Sequence, residues 1–215
     1  MKKKICLSLS LLLVVSMFLV ACGGDKTPKN ASTNNKVESK EQVENKGDSE
    51  KAATVDFKAE EPVLLTTVGQ SADVEMVKAI LDNLTINYNM NNLAKKGEIG
   101  DAKTLILAVG GSSKGLGAAG IDANAELERV NGLIEDAKSN GVKIIAMHIG
   151  GEARRGELSD KFIKPSFENA DYAIVVSEGD KDGLIKGIGE SKNVPVEYID
   201  QMSKALDSLK VVFNK

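Results

Sequence analysis

The chain has 215 residues, with 28 basic and 31 acidic side chains, one histidine, two cysteines and no tryptophan. Its net charge of −3 and its few aromatic residues argue against nucleic acid as a partner, because surfaces that bind nucleic acid are basic and often carry aromatic rings. One histidine and two cysteines are also too few for a zinc-type centre. We therefore expect neither a metal nor another cofactor.

The first 21 residues have the features of an export signal. Three lysines at positions 2–4 precede an apolar run that is shorter than the roughly 20 residues of a membrane-spanning helix. The run ends in Leu19-Val20-Ala21-Cys22, which resembles a bacterial lipobox. A plain secretory signal or an anchor helix is the alternative, but all four lipobox positions favour a lipoprotein signal peptide over 1–21. We expect lipidation of Cys22, with diacylglyceryl and palmitate-type chains, and a location on the extracytoplasmic face of the cell membrane.

Residues 22–59 are rich in Lys, Glu, Asn, Ser and Thr and have almost no large apolar side chains. From residue 23 onward the segment holds seven acidic and seven basic residues, so it is not a polybasic membrane patch. Such a composition does not bury enough apolar surface to offset the entropy of ordering the chain. The sequence therefore predicts a disordered tether over 22–59 that lets the folded part stand off the membrane.

Residues 60–215 are the size of one domain and hold 24 acidic and 18 basic residues, a net charge of −6. Short runs that are apolar on both faces predict buried strands of a parallel sheet. They lie at 63–68, 104–109, 143–149 and 172–176. Two weaker strands are predicted near 86–89 and 196–199.

Helical patterns separate these strands. Two helices begin near Ser71 and Asp122, which are residue types that cap helix N-termini, and Gly141 follows the second helix as its C-cap. Further helices are predicted over 157–168, 180–189 and 202–213. The glycines of the segment 110–121 predict that no helix forms there before Asp122. The fold class is α/β, a single doubly wound, mostly parallel sheet of Rossmann-like or flavodoxin-like type with helices on both faces.

In such a sheet, ligands bind beyond the carboxyl ends of the strands. Nearly all of the unusual composition of the domain falls in the four loops at that edge, which are 69–71, 110–121, 150–156 and 177–180. The glycine-rich loop 110–121 predicts an anion cradle, with backbone amides, a lysine and two serines as ligands. The expected ligand contacts are Gly111, Ser112, Ser113, Lys114, Gly115 and Gly117, together with Gln70 and Ser71 of the first loop.

Two of the three arginines of the chain, Arg154 and Arg155, lie together between glycines. An arginine fork grips a carboxylate or a phosphate through two parallel hydrogen bonds, so we expect both to bind an anion, with Gly151 and Glu152 beside them. The alternative is that they form salt bridges with neighbouring carboxylates. His148 is either a further ligand contact or a core histidine satisfied by the backbone.

Three enzyme motifs overlap the glycine-rich loop. Gly111–Gly115 has the G-x-S-x-G pattern of serine hydrolases, which would make Ser113 or Ser112 a nucleophile with His148 as its base. That motif needs a helix that starts at the nucleophile, which the glycines argue against. A short-chain dehydrogenase turn lacks its Y-x-x-x-K pair here, and a phosphate-binding P-loop lacks its Gly-Lys-Ser or Gly-Lys-Thr.

Four segments resemble the signature segments of a bacterial family of secreted or lipid-anchored proteins classed as a domain of unknown function. They are GQSAD at 69–73, GGSSKGLGAAGID at 110–122, HIGGEARRG at 148–156 and EGDKDG at 178–183. The resemblance extends from about Glu60 to Phe213. It implies a location outside the cytoplasm and a shared site, and it implies no particular activity.

These observations predict a lipid-anchored, extracytoplasmic binding protein for a small anionic ligand, rather than an enzyme. The expected partners are the small-molecule anion, the membrane through the lipid at Cys22, and a membrane transporter. A single domain lacks the two-lobed cleft of common solute-capturing lipoproteins, which weakens the transporter hypothesis. Two alternatives stay open: a cell-surface serine hydrolase or transferase that uses the Gly111–Gly115 loop, and a non-catalytic structural envelope protein.

Overall fold

A computed structural model describes residues Asp56–Lys215. The predicted signal peptide, the predicted lipidation site Cys22 and all but the last residues of the predicted tether lie outside the described residues. Among the helices of residues 56–215, none has the length and apolar character needed to cross a membrane.

Six strands form one sheet in which every neighbouring pair is parallel. They are β1 (Val63–Val68), β2 (Tyr88–Met90), β3 (Thr104–Val109), β4 (Lys143–His148), β5 (Tyr172–Val176) and β6 (Val196–Ile199). Their order in the sheet is β2-β1-β3-β4-β5-β6. Every residue of β1, β3 and β5 is buried, which explains why their sequences are apolar on both faces.

The described residues also form six α-helices and three short 3-10 turns. The helices are α1 (Asp73–Asn83), α2 (Ser113–Ala119), α3 (Ala123–Ser139), α4 (Glu157–Glu168), α5 (Leu184–Lys192) and α6 (Ala205–Val212). The 3-10 turns are Gly151–Arg154, Ser177–Asp180 and Met202–Lys204. Asp122 caps α3 by accepting two backbone amides, and Gly141 adopts a left-handed φ of 68° after it, so both predicted ends are confirmed.

The helices cover both faces of the sheet. Helices α3, α4 and α5 pack on one face, where Leu133, Phe162 and Ile185 are fully buried. Helices α1 and α6 pack on the other face through Val77 and Leu209. The predicted α/β sheet with helices on both faces is therefore confirmed.

The winding of the chain reverses between β1 and β3. From β1 the chain passes through α1 to β2 on one side, whereas β3 lies on the other side of β1 and leads through α2 and α3 to β4. The carboxyl ends of β1 and β3 therefore border the crevice at which doubly wound sheets bind ligands.

The glycine-rich segment after β3 differs from the prediction. Helix α2 begins at Ser113, because Ser112 Oγ accepts the amide hydrogen of Gly115 at 3.0 Å and caps the first turn. The expectation that no helix forms before Asp122 was wrong, and the objection to the G-x-S-x-G motif that rested on it does not hold. Helix α5 likewise begins at Leu184 rather than near Asp180, because the Asp180 carboxylate instead accepts backbone amides of the first turn of α5.

The chain already contacts the domain before Glu60. The ring of Phe57 stacks on Tyr172, with centroids 5.0 Å apart and an interplanar angle of 4°. The amide of Ala59 donates to the carbonyl of Val212 at 2.9 Å. The last residues of the predicted tether are therefore packed against the first residue of β5 and the end of α6.

Candidate functional site

The loops that follow β1, β3, β4 and β5 meet at one edge of the sheet. A Cβ atom placed on Gly110 would lie 3.1 Å from Ser71 Oγ, and one placed on Gly150 would lie 2.5 Å from Asp73 Oδ2. A Cβ atom on Gly179 would lie 3.3 Å from the Cα atom of Gly151. The four loops and Asp73, the first residue of α1, therefore come together at this edge.

Arg154 is held at this edge by a buried carboxylate. Its Nε donates to both carboxylate oxygens of Asp73 at 3.1 Å, and the Asp73 side chain is only 9% exposed. The terminal nitrogens Nη1 and Nη2 of Arg154 have no acceptor among the described residues. A Cβ atom on Gly150 would overlap the Arg154 side chain, so glycine is required there for this pair to form. Arg154 thus presents a positioned, open fork.

Arg155 has a different environment from its neighbour. Its Nε donates to Asp160 at 2.9 Å, its Nη1 donates to the Gly179 carbonyl at 2.6 Å, and both Nη atoms donate to Asp182 at 2.9 Å. The bond to Asp182 first, and then that to Asp160, hold the pKa of the guanidinium above its ordinary value, although burial lowers it. The side chain joins α4, the turn after β5 and the start of α5. The salt-bridge alternative fits Arg155 better than a ligand contact does.

The amides of the glycine-rich loop are mostly engaged inside the protein. The amide of Gly111 donates to Ser159 Oγ at 2.9 Å, that of Ser112 to the Gly69 carbonyl at 2.8 Å, and that of Gly115 to Ser112 Oγ at 3.0 Å. The predicted amide cradle therefore does not form from these groups. The glycines serve close packing instead, because a Cβ atom on Gly115 would overlap the carbonyl oxygen of Gln70.

A buried ion pair joins the start of α3 to the turn after β1. Glu126 is fully buried, and Arg129 donates to it from Nε at 2.7 Å and from Nη2 at 2.8 Å. Glu126 Oε1 also accepts the amide of Gly69 at 2.8 Å and the side-chain amide of Gln70 at 3.2 Å. Gln70 further donates to the Asn92 carbonyl, so its side chain is committed to structure.

His148 is buried and does not pair with a serine. Its Nδ1 lies 3.0 Å from the carbonyl oxygen of Val109, which only accepts, so Nδ1 carries the proton. Its Nε2 is buried and has no partner among the described residues. Burial lowers the pKa of His148, a shift that the Val109 carbonyl opposes. Ser113 is exposed and forms no hydrogen bond with His148, so the hydrolase alternative receives no support from this pair.

The remaining predicted contacts divide between the edge and the solvent. Lys114 and Gly117 are exposed on α2, and a Cβ atom on Gly117 would meet open space.

Gly151 is buried with a left-handed φ of 61°. Glu152 is exposed and accepts a hydrogen bond from Lys181 at 2.6 Å, which lowers the pKa of Glu152. Ser71 is buried, and its Oγ accepts the amide of Asp73 at 3.2 Å.

Sequence reasoning missed the carboxylates that organise this edge. Glu126 lies on the buried face of α3 with Val130 and Leu133, and a charged residue in that apolar pattern was the available signal. Asp73 lies in the first turn of α1, where acidic residues are common, and its place at the end of the GQSAD segment was the available signal. Among the described residues there is no cluster of three or more His, Cys, Asp or Glu that could hold a metal ion.

Comparisons with known proteins identify a family. The family described as "Domain of unknown function (DUF6305)" matches residues 60–213. No curated protein sequence matches the chain.

Several solved structures show a distant likeness to the chain. A GDSL-like lipase from Bacteroides thetaiotaomicron is 11% identical, with 63% of this chain and 66% of the lipase covered and a TM-score of 0.31. The regulatory domain of the master biofilm regulator CsgD is 13% identical, with 68% and 99% covered and a TM-score of 0.29. A mutant of esterase AlinE4 is 12% identical, with 73% and 85% covered and a TM-score of 0.29. Likenesses of this size carry no argument about activity.

Proposed function

We propose that this chain, which belongs to the family described as "Domain of unknown function (DUF6305)", is an extracytoplasmic, lipid-anchored protein that binds a small anionic ligand through Arg154. The single observation that carries the proposal is the open guanidinium fork. Asp73 fixes Nε of Arg154, while both terminal nitrogens have no acceptor among the described residues. A fork held in this way loses little side-chain entropy when it binds a carboxylate or phosphate.

The position of Arg154 supports the same proposal. It follows β4 at the carboxyl edge of a parallel sheet, beside the turn between β1 and α1. That edge is where ligands bind in doubly wound sheets. Arg155 and most of the loop amides are satisfied by protein groups, so Arg154 is the anion contact in this proposal.

The setting outside the cytoplasm rests on the sequence. The lysine-rich start, the apolar run and the lipobox-like Leu19-Val20-Ala21-Cys22 support export and lipidation of Cys22. Under this proposal the protein is attached to the membrane through its lipid, and a membrane transporter is a candidate partner for ligand transfer.

A binding screen tests the proposal. Residues 23–215, which omit the predicted signal peptide and Cys22, would be screened by thermal shift against carboxylates and phosphates. We expect at least one anion to raise the unfolding temperature, and Arg154→Lys to weaken its binding at least tenfold. A lysine keeps a positive charge beside Asp73, so we expect the variant to fold, but it lacks the two-nitrogen fork. Lys164→Gln, which removes an exposed cation of α4, is the control and should bind as the unchanged protein does.

The screen also separates the alternatives. Binding that is indifferent to Arg154→Lys would contradict the proposed contact. The absence of any binding anion would favour a structural envelope protein. Covalent labelling of Ser113 by a fluorophosphonate would instead favour a hydrolase.

A further inference from the structure

Two side chains of opposite charge border the turn that follows β4. Gly150 and Gly151 form this turn, and Arg154 lies against the first glycine, where a Cβ atom would overlap it. Glu178 lies against the second glycine, because a Cβ atom on Gly151 would be 3.8 Å from Glu178 Cβ and 4.0 Å from its Oε2. One dipeptide therefore brings a cation and a carboxylate to the same place from two different loops.

These two charges are not paired with each other. Arg154 is anchored on Asp73 through Nε, and Glu178 has no cation in ion-pair contact among residues 56–215. Lys181 donates from Nζ to Glu152 at 2.6 Å, and Glu178 is the smallest of the causes that raise the pKa of Lys181. The guanidinium of Arg154 and the carboxylate of Glu178 thus lie beside the Gly150–Gly151 turn, and both are open to a ligand.

A buried acceptor lies beneath the same turn. His148 is fully buried, and its Nδ1 bonds the Val109 carbonyl, which leaves Nε2 as an unprotonated acceptor without a donor among the described residues. A Cβ atom on Gly179 would lie 2.9 Å from this Nε2 and 3.3 Å from the Cα atom of Gly151. The unpartnered Nε2 edge of His148 therefore lies against Gly179, where the turn after β5 meets the turn after β4.

The charge of the surrounding loops disfavours a simple anion. Residues 150–160 and 177–182 together hold six acidic and three basic side chains. A molecule with only negative charge gains at Arg154 and is repelled by the excess of carboxylates. A molecule that also carries a positive group offsets this repulsion, because opposite charges a few ångströms apart attract in partly desolvated sites.

We propose that the ligand of this site is a zwitterion of the α-amino acid class, whose carboxylate binds the Arg154 fork and whose ammonium group binds Glu178. The inference rests on the proposed function, because the carboxylate of the amino acid is the anionic group that binds Arg154, and it adds a positive group to that ligand. Glycine at 150 and 151 lets such a small molecule approach the backbone between the two charges. The acceptor of His148 adds a negative electrostatic contribution beneath the ammonium position.

Matched ligand pairs test the ammonium contact. Binding to residues 23–215 would be measured by calorimetry for L-alanine against propionate, L-leucine against 4-methylpentanoate, and L-phenylalanine against 3-phenylpropionate. We expect at least one amino acid to bind at least tenfold more tightly than its partner without the amino group. Arg154→Lys should weaken both members of that pair.

Variants of two glutamates then locate the contact. Glu178→Gln should weaken binding of the amino acid at least tenfold. It should not weaken binding of the simple carboxylate, which loses a repulsive charge, so the preference disappears. Glu157→Gln is the control, because it removes a negative charge from a 93% exposed side chain at the same edge and should keep the preference.

The outcomes distinguish the inference from the function on which it rests. If carboxylates or phosphates bind through Arg154 and an ammonium group does not raise the affinity, the inference is overturned and the proposed function stands. A preference for amino acids that survives Glu178→Gln would also overturn it. Failure of every anion and amino acid to bind would overturn both.

Discussion

Burial decides the protonation state of His148. The imidazole is fully buried, donates from Nδ1 to the Val109 carbonyl and leaves Nε2 without a donor among the described residues. Desolvation lowers the pKa of His148, the Val109 carbonyl raises it in part, and the nearby charges of Arg155, Asp73 and Asp160 act more weakly. The folded protein therefore binds a proton at His148 less readily than the unfolded chain, whose histidine titrates near pH 6.5.

This difference predicts a pH dependence of stability. The stabilising effect of neutral His148 is fully present above about pH 6.5 and is lost as the pH falls towards the folded pKa. Urea unfolding at pH 7.5 and pH 5.5 would measure it, with His148→Gln as the comparison. His148 is the one histidine of the chain. We expect the unchanged protein to lose more stability than the variant on acidification. An equal loss in both proteins would contradict the prediction.

The adjacent residues Arg154 and Arg155 show that local sequence does not predict the partners of a side chain. The glycines around Arg154 and Arg155 correctly indicated a sheet-edge turn, but local sequence did not distinguish the two side chains. Arg155 is satisfied by Asp160 nearby and by Asp182 from a loop that only the fold brings near. The open fork of Arg154 depends on Asp73, which lies far away in the chain. Contacts between loops decided both outcomes.

At the scale of an element, helix α2 shows two different uses of glycine. Gly115 lies against the turn after β1, where a Cβ atom would overlap the carbonyl oxygen of Gln70, whereas a Cβ atom on Gly117 would meet nothing. Ser112 supplies the cap that lets this short, glycine-containing helix form. Glycine at 115 is therefore required by packing, and glycine at 117 is a cost to the helix.

A pair of alanine substitutions separates these uses. Gly115→Ala should lower the free energy of unfolding by roughly 2–4 kcal/mol, because the methyl group meets backbone that does not yield easily. Gly117→Ala in the same helix should raise it by about 0.5–1 kcal/mol, because it lowers the entropy of the unfolded chain and improves helix propensity. Chemical unfolding of both variants would show this difference in sign. Similar effects at the two positions would refute the packing role of Gly115.

At the scale of the whole molecule, the Glu126–Arg129 pair joins segments that are far apart in sequence. Arg129 donates to the carbonyls of Thr67 and Ala94, and Glu126 accepts from Gly69. The pair thereby ties α3 to the end of β1 and to the segment after β2. The side chain of Arg129 is 9% exposed and that of Glu126 is 0% exposed, so removing one partner leaves the charge of the other buried.

A double-mutant cycle measures this coupling. Glu126→Gln and Arg129→Met should each lower the free energy of unfolding by roughly 3–5 kcal/mol, since each leaves a buried charge uncompensated. The double variant should lose at least about 1 kcal/mol less than the sum of the two single losses, because no lone charge remains. Urea unfolding of the four proteins provides the values. Additive losses would show that the two side chains act independently.

The fold was more predictable than the site. Runs such as Val63–Val68 and Tyr172–Val176 are apolar on both faces because helices cover both sides of the sheet. The local sequence is therefore enough to predict that these strands are buried. The start of α2 at Ser113 depends on packing against a distant turn, and local glycine content predicted the opposite. Strand order and the partners of Glu126 depend on how the elements assemble, and a pattern within one segment does not carry that information.

The all-parallel sheet has a kinetic consequence. Strand β5 pairs Ala173 with Val196, and β1 pairs Val63 with Tyr88 on one side and Thr104 on the other. No pairing in the described sheet closes a hairpin, so every strand contact must first close a long loop and accept its entropy cost. Such topologies fold slowly. For a chain with the proposed export signal, slow folding prolongs the interval in which it is still unfolded and able to pass through a narrow translocation channel.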